Sequence, residues 1–186
     1  MKLQGIIRRV LEEQKAKKGY DFGCVMLFFE IPEWKDVISM IDPADLYKPE
    51  ESQFGLEHEP HITILYGLHS NELNDQEVMD TIKQFTAPEV MLQSISTFNN
   101  PEYDVVKFDV VGEQLHEMNA ALKQFPFTTN FPDYHPHTTI AYVKPGCGSK
   151  YHDLLEEPIV LKPSKVVYSK PDGNKIFDYL EVDERD

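Results

Sequence analysis

"EPHITILYG", residues 59–67, decides the reading of this chain, because it returns as "HPHTTIAYV" at residues 135–143. Aligned on the central His, both copies read Pro-His-x-Thr-Ile-x-Tyr. One His-x-Thr occurs by chance in many strands, where it is usually a satisfied histidine beside a β-favouring threonine. Two copies sharing five residues in register point to a duplicated unit. Their β-branched and aromatic content marks both as strands. Strict alternation places His61, Thr63 and Leu65 on one face, with Ile62, Ile64 and Tyr66 on the other. In the second copy His137, Thr139 and Ala141 oppose Thr138, Ile140 and Tyr142. Each strand therefore presents an imidazole and a hydroxyl about 7 Å apart. Tyr66 and Tyr142 are assigned to the core and excluded from the site.

If the duplicated strands face each other across a pseudo-two-fold cleft, two His and two Thr surround one point. Cleaving a phosphodiester with a ribose hydroxyl, or opening a cyclic phosphate with water, needs one proton removed and another delivered. Two imidazoles do both near neutral pH, one neutral as base and one protonated as acid. Two threonine hydroxyls can donate to the non-bridging oxygens, where charge accumulates. Neither a metal nor a cofactor is required, and which histidine is the base stays open.

Composition limits the partners. The chain has 186 residues, 41% of them hydrophobic, which favours one folded domain over disorder. Cys24 and Cys147 are too few for a disulfide framework and favour a reducing, cytoplasmic setting. No apolar run approaches the roughly 18–20 residues of a membrane span, and the N-terminus lacks a secretory signal. The net charge is −14, and the basic residues that stand out lie within positions 1–18. Binding to long DNA or RNA is therefore disfavoured, since phosphate neutralisation supplies most of that affinity. A small phosphorylated ligand in a locally complementary cleft is compatible with the acidic surface.

Outward from the repeats the chain alternates between helical and extended periods. Leu3, Ile6, Ile7, Val10 and Leu11 predict an amphipathic N-terminal helix over 1–18. Strands are expected at 23–31, 89–98, 104–111, 164–169 and 175–182, and helices at 32–41, 75–85 and 112–124. The order implies an α+β class, one two-lobed domain over 1–186.

The paired motifs resemble the 2H phosphoesterases, the LigT-like superfamily that carries two His-x-Thr strands. The resemblance covers most of the chain and implies a bilobal fold, with two pseudo-symmetric antiparallel sheets flanking a central cleft and helices outside. By resemblance, His61 and His137 are the acid and base, and Thr63 and Thr139 hold the substrate phosphate. It implies a phosphodiesterase acting on small cyclic or linear oligonucleotides with 2′,5′ or 3′,5′ linkages. More narrowly, chain size and "EPHITILYG" resemble phage-encoded anti-CBASS phosphodiesterases, which degrade cyclic di- and trinucleotide immune signals in the host cytoplasm. The alternatives are an RNA 2′,3′-cyclic phosphodiesterase in RNA end processing and a non-catalytic nucleotide sponge.

Phe131 and Tyr134, in the loop entering the second motif, are base-stacking candidates, with Tyr168 and Lys170 on a late strand as further ones. His58 with His61, and His135 with His137, lack a Cys or carboxylate to complete a metal site. His69, His116 and His152 read as solvent-facing, and "KPGCG" at 144–148 as a turn.

Overall fold

Strands that are apolar on both faces belong in the middle of a sheet, and two segments meet that condition. β1 (Phe22–Phe28), "FGCVMLF", lies between β2 (His61–His69) and β7 (Lys165–Ser169), with β8 (Lys175–Tyr179) beyond. β4 (Asp104–Val111) lies between β5 (His137–Val143) and β3 (Val90–Asn99), with the short β6 (Ile159–Leu161) beyond. The computed structural model describes residues 21–48 and 54–183, and the helix expected over 1–18 falls outside them. All pairings within the two four-stranded sheets are antiparallel. The expected α+β architecture of two lobes is therefore present.

Both motif strands occupy the corresponding edge of their sheets and touch one another across the seam. The helices lie behind them. α1 (Trp34–Ser39) packs near β5, while α2 (Asp75–Ile82) packs on α3 (Glu113–Leu122), which backs β2. Asn74 starts α2 by accepting from Gln76 N at 2.9 Å. One apolar cluster, including Val25, Leu27, Ile62, Ile64, Leu92 and Ile140, draws on both sheets. Among the described residues no helix is long and apolar enough to cross a membrane.

An edge strand exposes unpaired backbone groups, and here each is covered by chain leading into the other motif. Residues 45–47 and 55–57 precede β2 but bond β5: Tyr47 N donates to Tyr142 O at 3.0 Å, and Glu57 N to Ile140 O at 2.8 Å. Residues 126–128 precede β5 but bond β2, with His69 N donating to Pro126 O at 3.0 Å and Thr128 N to Gly67 O at 2.9 Å.

Gly67 is fixed by this crossing. Its φ is +99°, and an added Cβ would stand 1.9 Å from Thr128 O. Gly67→Ala is expected to destabilise the protein by about 2–4 kcal/mol, from left-handed strain plus displacement of the covering segment. Gly146→Ala has a φ of +81° but nothing within 4 Å, so about 1–2 kcal/mol is expected. Urea denaturation of the two variants checks the difference; equal losses would mean the 126–128 segment yields without cost.

Candidate active site

The register of the motif strands departs from strict alternation at a matching place in each, and β2 departs again at Gly67. Thr63 pairs with Met26 and Leu65 with Val25, so Ile64 is an extra residue in β2. Thr139 pairs with Lys107 and Ala141 with Val106, so Ile140 is the extra residue in β5. Such bulges shift the side-chain phase of the following residues. The assignment of Tyr66 to the core is thereby corrected, whereas Tyr142 is fully buried as expected. Tyr66 packs with Cys24 and Met26 and lines the cleft, while Tyr142 joins Tyr103 and Val105. Each bulge carbonyl has a donor: Asn119 Nδ2 reaches Ile64 O at 2.7 Å, and Glu57 N reaches Ile140 O.

His61, Thr63, His137 and Thr139 precede the bulges and share the cleft faces of the two contacting strands. His61 Nδ1 bonds Glu59 O at 2.8 Å, and His137 Nδ1 bonds His135 O at 2.8 Å. A carbonyl only accepts, so each Nδ1 carries the proton and each Nε2 is the free lone pair of the neutral ring. Phe28 stacks on His61 at 5.1 Å, and Phe98 meets His137 edge-on at 5.0 Å. His137 Nε2, Thr139 Oγ1 and the Tyr142 hydroxyl are buried without a hydrogen-bond partner. Thr139 lies beside the Tyr142 phenol outside bonding geometry; burial pushes that phenol well above its ordinary range. Unpaired buried polar atoms are costly, and their clustering here marks groups positioned for a ligand.

A cavity of ≈ 430 Å³ opens beside His137 and Thr63. Its wall includes Tyr66, Phe98, Tyr103, Phe131 and Tyr134, with Asn99, Asn119 and Lys123 as polar points. Phe131 is 60% exposed, and Tyr134 donates to Thr63 O at 3.0 Å, so both loop aromatics reach this cavity. Tyr168 does not: it is fully buried in the core with its hydroxyl on Ser70, which removes it as a base-stacking residue. Lys170 is paired with Asp75 at 2.8 Å. His69 is also buried, bonded to Thr128 Oγ1 at 2.8 Å, in contrast to the expected solvent-facing position. The 144–148 segment is a turn whose Gly146 and Gly148 N–H groups donate to Asp104. Among the described residues no three His, Cys, Asp or Glu side chains converge on a metal position.

Lys107 was not anticipated from the sequence. It is only 4% exposed and stands opposite Thr139 on the cleft face. Its ammonium bonds Ser96 Oγ at 2.6 Å and Asp109, and lies 4.2 Å from the centre of the Phe98 ring. Burial opposes ionisation of Asp109, but donors from Lys107, Ser96 and Ser94 hold its carboxyl below the usual range. In the other sheet the position opposite Thr63 is Met26 of β1, so the Lys107 cation has no counterpart there.

Burial pulls both catalytic-candidate imidazoles down to about 4, and the Lys107 charge adds to this at His137. The resting cleft is therefore neutral at pH 7, and an anionic phosphate would favour protonation of a ring. Between about pH 4 and pH 6.5 the unfolded chain binds protons that the folded chain refuses. Stability from these rings is complete above pH 6.5 and declines as pH falls through that window; replacing either His by Gln is expected to flatten the decline in chemical denaturation. Lys107→Met is expected to raise the His137 pKa, read by NMR titration, and to leave His61 nearly unchanged. An unmoved His137 would deny Lys107 its electrostatic role.

Comparisons with known proteins agree with this architecture. The family profile described as the 2'-5' RNA ligase superfamily matches residues 33–157. The fold resembles that of Kluyveromyces marxianus Usb1 solved with uridine monophosphate, at a TM-score of 0.57 and 9% identity, over 87% of this chain and 99% of that one. E. coli LigT complexed with 3'-AMP aligns at a TM-score of 0.48 and 11% identity, over 87% of this chain and 96% of that one. A search of curated protein sequences gives no match. With its bilobal fold and a family match spanning about two-thirds of its length, the chain belongs to the 2'-5' RNA ligase superfamily.

Proposed function

We propose that this protein is a metal-independent phosphodiesterase that cleaves small oligonucleotides, with His61 and His137 as acid and base and Thr63 and Thr139 on the phosphate. The observation that carries the reading is the pairing of two His-x-Thr strands across one seam, with His137 Nε2 and Thr139 Oγ1 buried and unpartnered. Membership of the superfamily supports phosphodiester chemistry on RNA-like substrates. The Usb1 structure contains uridine monophosphate and the LigT structure 3'-AMP, which is consistent with a nucleotide-sized cleft in this fold.

For a 3′,5′ linkage, the Nε2 of one neutral histidine removes the proton of the ribose 2′-hydroxyl. The oxygen attacks phosphorus as the 5′ oxygen departs and takes a proton from the other, protonated histidine. This yields a 2′,3′-cyclic phosphate and a 5′-hydroxyl. Water can open the ring with the roles reversed. The threonine hydroxyls donate to the non-bridging oxygens as charge develops. Because both rings rest neutral, binding of the phosphate is what protonates the acid.

Within this class we favour small cyclic di- and trinucleotides, and hence an anti-defence role in a phage-infected host. That preference rests on the resemblance of the first motif, the net charge of −14 and the cavity of ≈ 430 Å³, which suits one nucleotide rather than a duplex.

Product analysis by mass spectrometry, in EDTA, tests the reading with cyclic di- and trinucleotides, linear 2′,5′-oligoadenylate and nucleoside 2′,3′-cyclic phosphates. Full activity with chelator is expected, with losses of about 10²–10⁴-fold for each single His→Ala change. Turnover confined to the 2′,3′-cyclic monophosphates would move the protein to RNA end processing. Ligand recovered intact from the wild-type chain would make it a sponge. The optimum of kcat is expected at higher pH than that of kcat/KM, since bound phosphate raises the pKa of the acid.

A further inference from the structure

Cross-strand partners share a face, so pairing registers trace rows across a sheet. Phe28 pairs with His61 on one side and with Lys165 on the other, and Lys165 pairs with Tyr179. His61, Phe28, Lys165 and Tyr179 thus form one row on the cleft face of the β2–β1–β7–β8 sheet. At about 4.8 Å per strand the row runs about 14 Å from His61 to the sheet edge. Its outer end is exposed and aromatic: Tyr179 is 59% and Phe177 60% exposed, with ring centroids 6.4 Å apart. The Lys165 ammonium sits between two rings, 5.5 Å from Phe177 and 6.0 Å from Phe28. Among the described residues no carboxylate pairs with Lys165, in a chain where Asp and Glu number 32 against 18 Lys and Arg.

The opposite lobe gives the contrast. There too a histidine meets a phenylalanine that carries a lysine, in the order His137, Phe98, Lys107. That lysine is buried and neutralised by Asp109, so its charge is committed within the protein. Lys165 keeps its charge for solvent. An exposed aromatic pair on an edge strand is otherwise an association hazard, which makes a use for it worth seeking.

Building on the phosphodiesterase reading above, we propose that Lys165, Phe177 and Tyr179 form a second nucleotide subsite, which binds the part of an oligoribonucleotide substrate lying beyond the scissile phosphate. The ammonium takes a backbone phosphate and the two rings offer a stacking platform for a base, the combination that single-stranded nucleic acid recognises. The register joins this platform to His61 without interruption by another titratable group. At about 14 Å the row carries the platform well beyond the scissile position. The subsite therefore selects for oligomers over mononucleotides.

The test compares a nucleoside 2′,3′-cyclic monophosphate with a cyclic triribonucleotide and a linear tetraribonucleotide. Phe177→Ala/Tyr179→Ala and Lys165→Glu are expected to raise KM for the oligomers about 10-fold or more while altering the monomer's kcat/KM less than about twofold. Equal losses on monomer and oligomer, or none on the oligomer, would overturn the subsite. A second arm measures binding of a fluorescent tetraribonucleotide to the His61→Ala/His137→Ala chain by anisotropy. There Lys165→Glu is expected to weaken binding and reduce the salt slope by about 0.7. If no substrate is turned over, the phosphodiesterase reading fails while this arm still decides the subsite. Length-dependent binding lost in the aromatic double variant upholds it, and binding indifferent to that variant refutes it.

Discussion

The hydrogen bonds accepted by Ile64 O and Ile140 O hold the geometry of the cleft. Each carbonyl belongs to an extra residue in a motif strand, and each is met from outside its own sheet, by the Asn119 side chain and the Glu57 amide. With the bulges stabilised, one run of backbone sends both isoleucines toward apolar packing, and in β2 it still brings Tyr66 round to the cleft. Without them, each strand would offer an imidazole and a hydroxyl and then turn its aromatic ring into the core. The duplicated sequence therefore duplicates an irregularity as well as a motif, and in β2 the irregularity adds Tyr66 to the wall of the cleft.

The electrostatics follow from burial more than from net charge. An overall charge of −14 argues against a polyanionic partner, yet the cleft at rest holds two neutral rings and a compensated Lys107–Asp109 pair. The two lobes are unequal in one respect: Lys107 stands opposite Thr139, and Met26 opposite Thr63. A backbone scaffold related by pseudo-symmetry thus presents histidines with different neighbours, which suits a reaction in which one must accept a proton and the other donate it.

Much of this was legible in the sequence because it depended on local period. The repeated His-x-Thr strands, the strands β1 and β4 and the helix behind the cleft all follow from apolar spacing. What failed depended on pairing. Tyr66 was misplaced because a bulge is visible only against a neighbouring strand. Tyr168 resembles any strand tyrosine until β7 is found inside its sheet, next to β1. Lys107 reads as a solvent-facing break in "DVVKFDVV" until β4 is laid beside β5, when its side chain proves to share a face with Thr139. The three residues of β6 carry too little pattern to mark a strand. His69 gave no sign of burial, since its partner Thr128 arrives from a distant loop.

The crossed covering of the two edge strands also bears on how the chain reaches this state. β5 is sealed by residues that lead into β2, and β2 by residues that lead into β5, so neither half of the cleft closes until the other half's chain has been delivered. Leu46 meets Val143 and Leu68 meets Phe127, contacts between widely separated positions. Loop closure of that order is slow compared with hairpin formation, and it ties the completion of both halves to one late event. The same arrangement gives damage an address: a protease cut within 45–47 or 55–57 would loosen the strand bearing His137, and a cut within 126–128 the strand bearing His61.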